Sequence, residues 1–238
     1  MSMIKHIPNA LTSMNLFSGC VACVFALMKQ YELAALCIMM SACFDFFDGF
    51  AARMLKAYSE IGKELDSLAD VVSFGTAPSM MLFSLLSDKN IGWSVNNINL
   101  FACSAFLIAV FSGLRLAKFN IDTRQTSSFI GLPVPANALF WCALITDGQN
   151  WLMTLPYAHV GLIILILCSS WILVSEIPMF SLKFKDFAWK TNRLRFTFLI
   201  LAALLILLFR LTGLSLTIIL YILLSVCNDF YSSHKRIA

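Results

Sequence analysis

The stretch Ser41–Ser79, SACFDFFDGFAARMLKAYSEIGKELDSLADVVSFGTAPS, sets Asp45, Asp48, Asp66 and Asp70 among residues apolar enough to enter a membrane. The chain has thirteen acidic residues in 238, and four of them fall here. A carboxylate at the bilayer centre costs at least ~2.5–3.5 kcal/mol. Four of them so close together in sequence need a chemical reason.

The surrounding composition defines the medium. Hydrophobic residues make up 60% of the chain and charged residues 13%, with a mean hydropathy of +0.83. Soluble domains are about 45–50% apolar and about 25% charged. The expectation is an all-α integral membrane protein, because a helix satisfies its own backbone polar groups in lipid. With about 20 apolar residues needed per span, eight spans are expected: 12–28, 32–52, 66–87, 98–114, 132–147, 157–175, 195–209 and 214–229. Arg210 to Gly213 (RLTG) separates the last two. The N-terminal MSMIKHIPNALTSMNLF has no small-residue cleavage site after its apolar run, which predicts an uncleaved first helix. No segment outside the spans is long enough to fold alone, so residues 1–238 read as one membrane-embedded domain.

Charge then orients the chain. Eight spans put fourteen of the 17 Lys and Arg residues on one side and only Lys29, Lys89 and Arg210 on the other. The positive-inside rule predicts both termini in the cytoplasm, in a bacterial cell at the inner membrane. This asymmetry accounts for the net charge of +4, so no nucleic-acid partner is implied. Eight cysteines are scattered, mostly within spans. Cys20 and Cys23 have redox-pair spacing but lie in a lipid-embedded segment without a second pair, and read as small packing residues.

In this frame the four aspartates fall near the cytoplasmic ends of the second and third spans. Asp45 and Asp48 are i,i+3, and Asp66 and Asp70 are i,i+4, so each pair shares a helix face. The intervening loop lets the two helices pack antiparallel with the pairs opposed. Converging carboxylates repel and take up protons unless cations offset them. Oxygen ligands suit magnesium, manganese or calcium, and no His or Cys lies between Asp45 and Asp70. Gly49, Ala52 and Gly62 leave room beside the carboxylates. Arg53 and Lys63 can meet phosphate charge. Two divalent ions, carboxylates and an Arg suit phosphoryl or phosphodiester transfer. A cation transporter using the aspartates as its path is the alternative of another class. The carboxylates all lie at one membrane edge, and no other span holds a central charge to complete such a path.

The pattern Asp45-x-x-Asp48-Gly49-x-x-Ala52-Arg53, then Gly62-x-x-x-Asp66-x-x-x-Asp70, fixes eight residues across 26 positions. It resembles the full signature of the CDP-alcohol phosphotransferase family. IPNALTSMNLFSGC, DSLADVVSFGTAPS, LRLAKFN, FIGLPVPANA and VSEIPMFSLK extend the likeness over most of the chain, toward members whose acceptor alcohol is serine. The usual RLARFN reads RLAKFN here, with Lys118 in place of Arg. The resemblance implies a six-helix core, usually in a homodimer, with CDP-diacylglycerol entering from the membrane lipids. It also implies two Mg²⁺ or Mn²⁺ ions on Asp45, Asp48, Asp66 and Asp70, and Asp70 as the general base for L-serine. Gly49, Ala52 and Arg53 would line the nucleotide and phosphate pocket. The alternative within the family is another acceptor, glycerol 3-phosphate or inositol phosphate, which would call for a denser Arg/Lys pocket.

Other residues are candidates by position. Serine carries a carboxylate, and Arg115, Lys118 and Arg124 follow the fourth span as candidate cations, beside their role in anchoring. Gly131, Pro133 and Pro135 predict a stiff loop before the fifth span. Asn9 and Thr12, with Asn15, follow Pro8. They could cap the first helix or touch the CDP-lipid. Gly62 and Ser73 complete the CDP-lipid candidates, Ser73 lying about one turn beyond Asp70 with Gly75 after it. Lys183 to Arg195 reads as a basic connector at anionic headgroups.

Overall fold

The computed structural model describes residues 6–87, 94–95, 98–122, 129–152, 154–155, 157–180, 189 and 192–237. Helix α1 (Ile7–Leu27) opens with Pro8 in its first turn, where a missing N–H costs nothing. No side chain caps it. Asn9 and Thr12 are therefore not caps: they lie inside the helix, free for other contacts. Helix α2 (Tyr31–Met54) packs along α1. Ala22, Ala26 and Ala34 are fully buried, and such small residues let helix backbones approach closely in lipid. Ser18 Oγ donates to the Cys37 carbonyl at 2.8 Å, and Ser41 Oγ to that of Asn15 at 3.1 Å.

Helix α3 (Glu60–Asp70) begins before the expected third span. Ser59 caps it by accepting from the Gly62 N–H at 3.0 Å, and Glu60 sits favourably in the first turn. A π-helical segment, Val71–Thr76, follows Asp70 directly and runs into α4 (Ala77–Ser87). Together these make one rod, Glu60–Ser87. The fourth span enters through a 3₁₀ turn (Ala102–Ala105) and continues as α5 (Phe106–Ile121). It ends later than expected, so Arg115 and Lys118 ride on the helix rather than on a following segment. Helices α6 (Val134–Leu152) and α7 (Ala158–Val174) come next. Two short antiparallel pairings join loops: β1 (Ser94–Val95) with β2 (Ile98–Asn99), and β3 (Phe129–Ile130) with β4 (Pro178–Met179).

Helix α8 (Arg193–Ile237) is broken at Arg210, whose φ of 51° and ψ of −124° are not helical. A Cβ on Gly213 would overlap the carbonyl oxygen of Leu205. In a straight helix, residues eight apart are separated by about 12 Å, so the chain folds back on itself here. Asp147 of α6 holds the turn, accepting from the Thr212 N–H at 3.1 Å and its hydroxyl at 2.6 Å. The arms 193–209 and 211–237 correspond to the seventh and eighth expected spans.

Among the described residues, five helical stretches are long and apolar enough to cross a membrane: Ile7–Leu27, Tyr31–Met54, Glu60–Ser87, Ala102–Ile121 and Arg193–Phe230. With α6, α7 and the fold at Arg210, the path is that of an all-α, multi-pass membrane protein. Phe74, Met81, Leu82, Ile108 and Trp141 fill the helix core. Leu204, Leu207 and Leu208 lie exposed on the outer arm of α8. Such a belt would aggregate in water but matches acyl chains.

Gly131 shows why the loop before α6 is stiff. Its φ is +72°, its N–H donates to the Ile177 carbonyl at 2.9 Å, and a Cβ there would overlap the Leu173 carbonyl oxygen. Gly131→Ala is expected to destabilise the chain by on the order of 3 kcal/mol, combining left-handed strain with the clash. A lowered unfolding temperature in detergent is the measurement. An unchanged one would show that the loop relaxes freely.

Candidate active site

The end of α2 and the start of α3 bring the two aspartate pairs together against α1. One ligating atom each from Asp45, Asp48 and Asp66 lies within 4.8 Å of the others. Asp45 and Asp66 face each other across the helix pair, a ligating oxygen of each within 4.8 Å of the other. Two carboxyls at that distance need a shared proton or a cation between them. One oxygen of Asp66 is buried with no partner among the described residues. An all-oxygen donor set, with an orphaned carboxylate oxygen inside it, fits a hard divalent cation. Asp45, Asp48 and Asp66 are the residues that would hold one.

Asp70 stands apart from this trio. It is buried, and Asn15 Nδ2 of α1 donates to its Oδ1 at 3.3 Å. Asn15 is itself fixed from both sides, its carbonyl accepting from Ser41 Oγ at 3.1 Å and Ser73 Oγ at 3.0 Å. Thr12 does the equivalent for the other pair: its hydroxyl donates to Asp48 Oδ2 at 2.6 Å. Helix α1 thus orients one carboxylate of each pair.

Beside the carboxylates opens a cavity of about 200 Å³. Asn9 and Thr12 of α1 line it, with Asp48, Gly49 and Ala52 of α2. Gly62, Lys63 and Asp66 of α3 close the other side. A Cβ on Gly49 would meet nothing within 4 Å, so that wall is open. Gly62 has a different use: a Cβ there would come within 2.8 Å of both Asn9 Oδ1 and Ser59 Oγ, so the glycine makes room for those two side chains.

Not every expected site residue reaches the cavity. Ser73 does not continue the cavity wall. The π turn after Asp70 shifts the helical register, and Ser73 is turned onto α1, fully buried against Gly19 with its hydroxyl on Asn15. Arg53 is not among the cavity-lining residues: its Nε donates to the carbonyl of Gly49, one turn back, at 2.9 Å. Lys63 lines the cavity instead, with its Nζ donating to the Asn120 carbonyl at 3.2 Å. Lys118 forms an ion pair with Glu176 at 3.0 Å. Arg115 is buried, with its Nε unpaired among the described residues, and lies within electrostatic reach of Asp70. Arg124 falls outside the described residues.

The loop residues Ala57, Tyr58 and Ser59 also line the cavity, and spacing alone did not single them out. The available signal was topological: this loop joins the two helices that carry the ligands.

The family model for CDP-alcohol phosphatidyltransferase matches residues 5–171, most of the chain and all of the aspartate site. The chain belongs to this family. Among its relatives, a Helicobacter pylori (strain J99) protein is 35% identical over 61% of this chain and 60% of its own length. A Mycobacterium bovis protein is 35% identical over 74% of this chain and 61% of its own, and a Bacillus subtilis protein is 38% identical over 56% and 71%. All three are named CDP-diacylglycerol–serine O-phosphatidyltransferase. The chain matches about three fifths of the Helicobacter and Mycobacterium proteins. The family match ends at residue 171, so the helical hairpin of α8 lies beyond it.

Proposed function

We propose that the protein transfers the phosphatidyl group of CDP-diacylglycerol to L-serine, giving phosphatidylserine and CMP. The observation that carries this is a carboxylate trio suited to divalent cations beside a cavity, in a chain that also buries Arg115 with its Nε unpartnered among the described residues. The printed names of the relatives add support.

In this reading Asp45, Asp48 and Asp66, completed by Asp70, would hold two Mg²⁺ or Mn²⁺ ions, which would supply positive charge for the diphosphate. The cavity beside Gly49, Ala52 and Gly62 takes the cytidine end, with Asn9 and Thr12 on its far wall and Lys63 supplying positive charge. Asp70 accepts the proton of the serine hydroxyl. The serine oxygen forms a bond to the β-phosphorus, the bond from that phosphorus to the bridging oxygen breaks, and CMP leaves with that oxygen. An unassisted alcohol is a weak nucleophile, so a base within hydrogen-bond reach is required. Asn15 keeps the Asp70 carboxylate aimed. Arg115 receives the serine carboxylate. Lys118 is already committed to Glu176, so among the described residues Arg115 is the one candidate cation left for the acceptor, which matches a carboxylate better than a doubly charged phosphate. The apolar surroundings let the lipid substrate reach the site from the bilayer. The protein works as a homodimer in the cytoplasmic membrane, with the site and both termini facing the cytoplasm.

The test is purified protein with CDP-diacylglycerol, Mn²⁺ or Mg²⁺ and labelled serine. Label should enter lipid as CMP appears. CMP release only with a phosphorylated alcohol would move the assignment to another acceptor, and no CMP release with any alcohol would exclude transferase activity. Arg115→Gln should raise the KM for serine about 10–100-fold, the loss of one charge-assisted contact, with the KM for the nucleotide-lipid unchanged.

A further inference from the structure

Lys63 and Ser67 lie one turn apart on α3, so they share a face of that helix. The face is about 60° round from the one that carries Asp66 and Asp70. It meets α5 at Asn120, in a closed ring of hydrogen bonds. Lys63 Nζ donates to the Asn120 carbonyl at 3.2 Å, and Asn120 Nδ2 donates to Ser67 Oγ at 2.8 Å. Ser67 Oγ in turn donates to the Lys63 carbonyl at 3.2 Å. Helix α5 packs along the π segment Val71–Thr76 but scarcely against α3 itself. The ring therefore spans the place where the two helices part.

Lys63 belongs to the ring and to the aspartate cavity at once, since it also lines that cavity. A lysine ammonium has three donors. The Asn120 carbonyl takes one of them, and two remain for a ligand. This carbonyl lies in the last turn of α5, where unpaired carbonyl groups favour a cation. A lysine side chain left to itself samples many rotamers, and it loses that freedom when it seats on a ligand. A carbonyl that already holds the ammonium removes part of the loss before the ligand arrives. The Asn120 side chain keeps the carbonyl in place, because its amide is held by Ser67 on the same face of α3 as Lys63.

We propose that Asn120 is a positioning residue for the donor substrate: it aims the Lys63 ammonium at the diphosphate of the nucleotide-lipid. This rests on the donor half of the function proposed above and is independent of which alcohol accepts. The same bonds tie the helix of Asp66 and Asp70 to the helix of Arg115.

The experiment uses the full chain in detergent with Mn²⁺. It measures the KM for CDP-diacylglycerol and kcat from CMP release, with an unfolding temperature to show that each variant is folded. Asn120→Ala removes the amide and should raise this KM about five-fold, the equivalent of one hydrogen bond, with a smaller change in kcat. Ser67→Ala opens the ring from the other helix and should do the same. Ser67→Thr keeps the hydroxyl and should keep the parental KM. In a Lys63→Met background Asn120→Ala should add nothing, because the group it positions is gone. An unchanged KM in both alanine variants, Ser67→Thr as impaired as Ser67→Ala, or an equal effect of Asn120→Ala with and without Lys63 would each overturn the proposal. If Asn120→Ala does not fold, the two Ser67 variants decide, with Ser67→Ala repeated in the Lys63→Met background. A parent protein that releases no CMP with any alcohol would remove the donor and this proposal with it, a result distinct from every comparison among variants.

Discussion

Asp70→Asn should stop turnover while leaving the nucleotide-lipid bound. The substitution keeps the size and planarity of the side chain, and its carbonyl oxygen can still accept from Asn15 Nδ2, which now lies 3.3 Å from Asp70 Oδ1. What it removes is the basic oxygen. A positioned general base contributes about 10²–10⁴-fold, so CMP release in the presence of serine should fall by that order. Binding should partly survive because Asp45, Asp48 and Asp66 remain as three of the four carboxylates. The measurements are single-turnover CMP release and equilibrium binding of CDP-diacylglycerol. Retained turnover would take Asp70 out of the base role and leave it as a support for α1. Complete loss of binding alongside lost turnover would mean that Asp70 serves mainly to hold the cations and would remove the support for a separate base role. Asn15→Leu complements the test. It removes the contact that aims Asp70 without touching the carboxylate, so it should lower kcat with less effect on the KM for the nucleotide-lipid.

The aspartates were legible in the sequence because helix periodicity is local. Spacings of three and four residues fix which face each carboxylate shares, whatever the rest of the fold does. The bilayer made the helices equally legible, since length and apolarity alone mark a span. What escaped was decided by tertiary contact or by local departures from the α-helix. Ser73 is the clearest case. Counted at α-helical period it continues the Asp70 face, but the π segment Val71–Thr76 inserts a register shift and turns it into the α1 contact. Arg53 shows a second limit: its sequence position allows it to reach a phosphate, but nothing local predicts that its Nε bonds its own helix. The roles of Thr12 and Asn15 depend on where α1 lands, 36 and 55 residues from their partners.

The carboxylate trio sets up an inversion in stability. With metal withheld, Asp45 and Asp66 are left with ligating oxygens within 4.8 Å of each other and no bound cation to offset them. Asp66→Asn relieves that repulsion, and it also lets an amide pair with a carboxylate that otherwise needs a shared proton. The variant should therefore unfold at the same temperature as the parent protein or higher when metal is withheld. Adding Mn²⁺ or Mg²⁺ should reverse the order. A ligand that binds only the folded state stabilises by about 2.7 kcal/mol at a hundred times its Kd, which for a chain of this size is about 5–10 °C. The parent should show that rise. Asp66→Asn should show little of it, because it removes the carboxylate whose buried oxygen has no partner of its own. Turnover should be lost as well, but the melting comparison is the more telling one, since it does not depend on which alcohol is the acceptor. An equal cation response in both proteins would mean that the trio does not hold the ion. A variant already less stable in chelator would mean that the three carboxylates are held together by contacts other than the ones that make them a cation site.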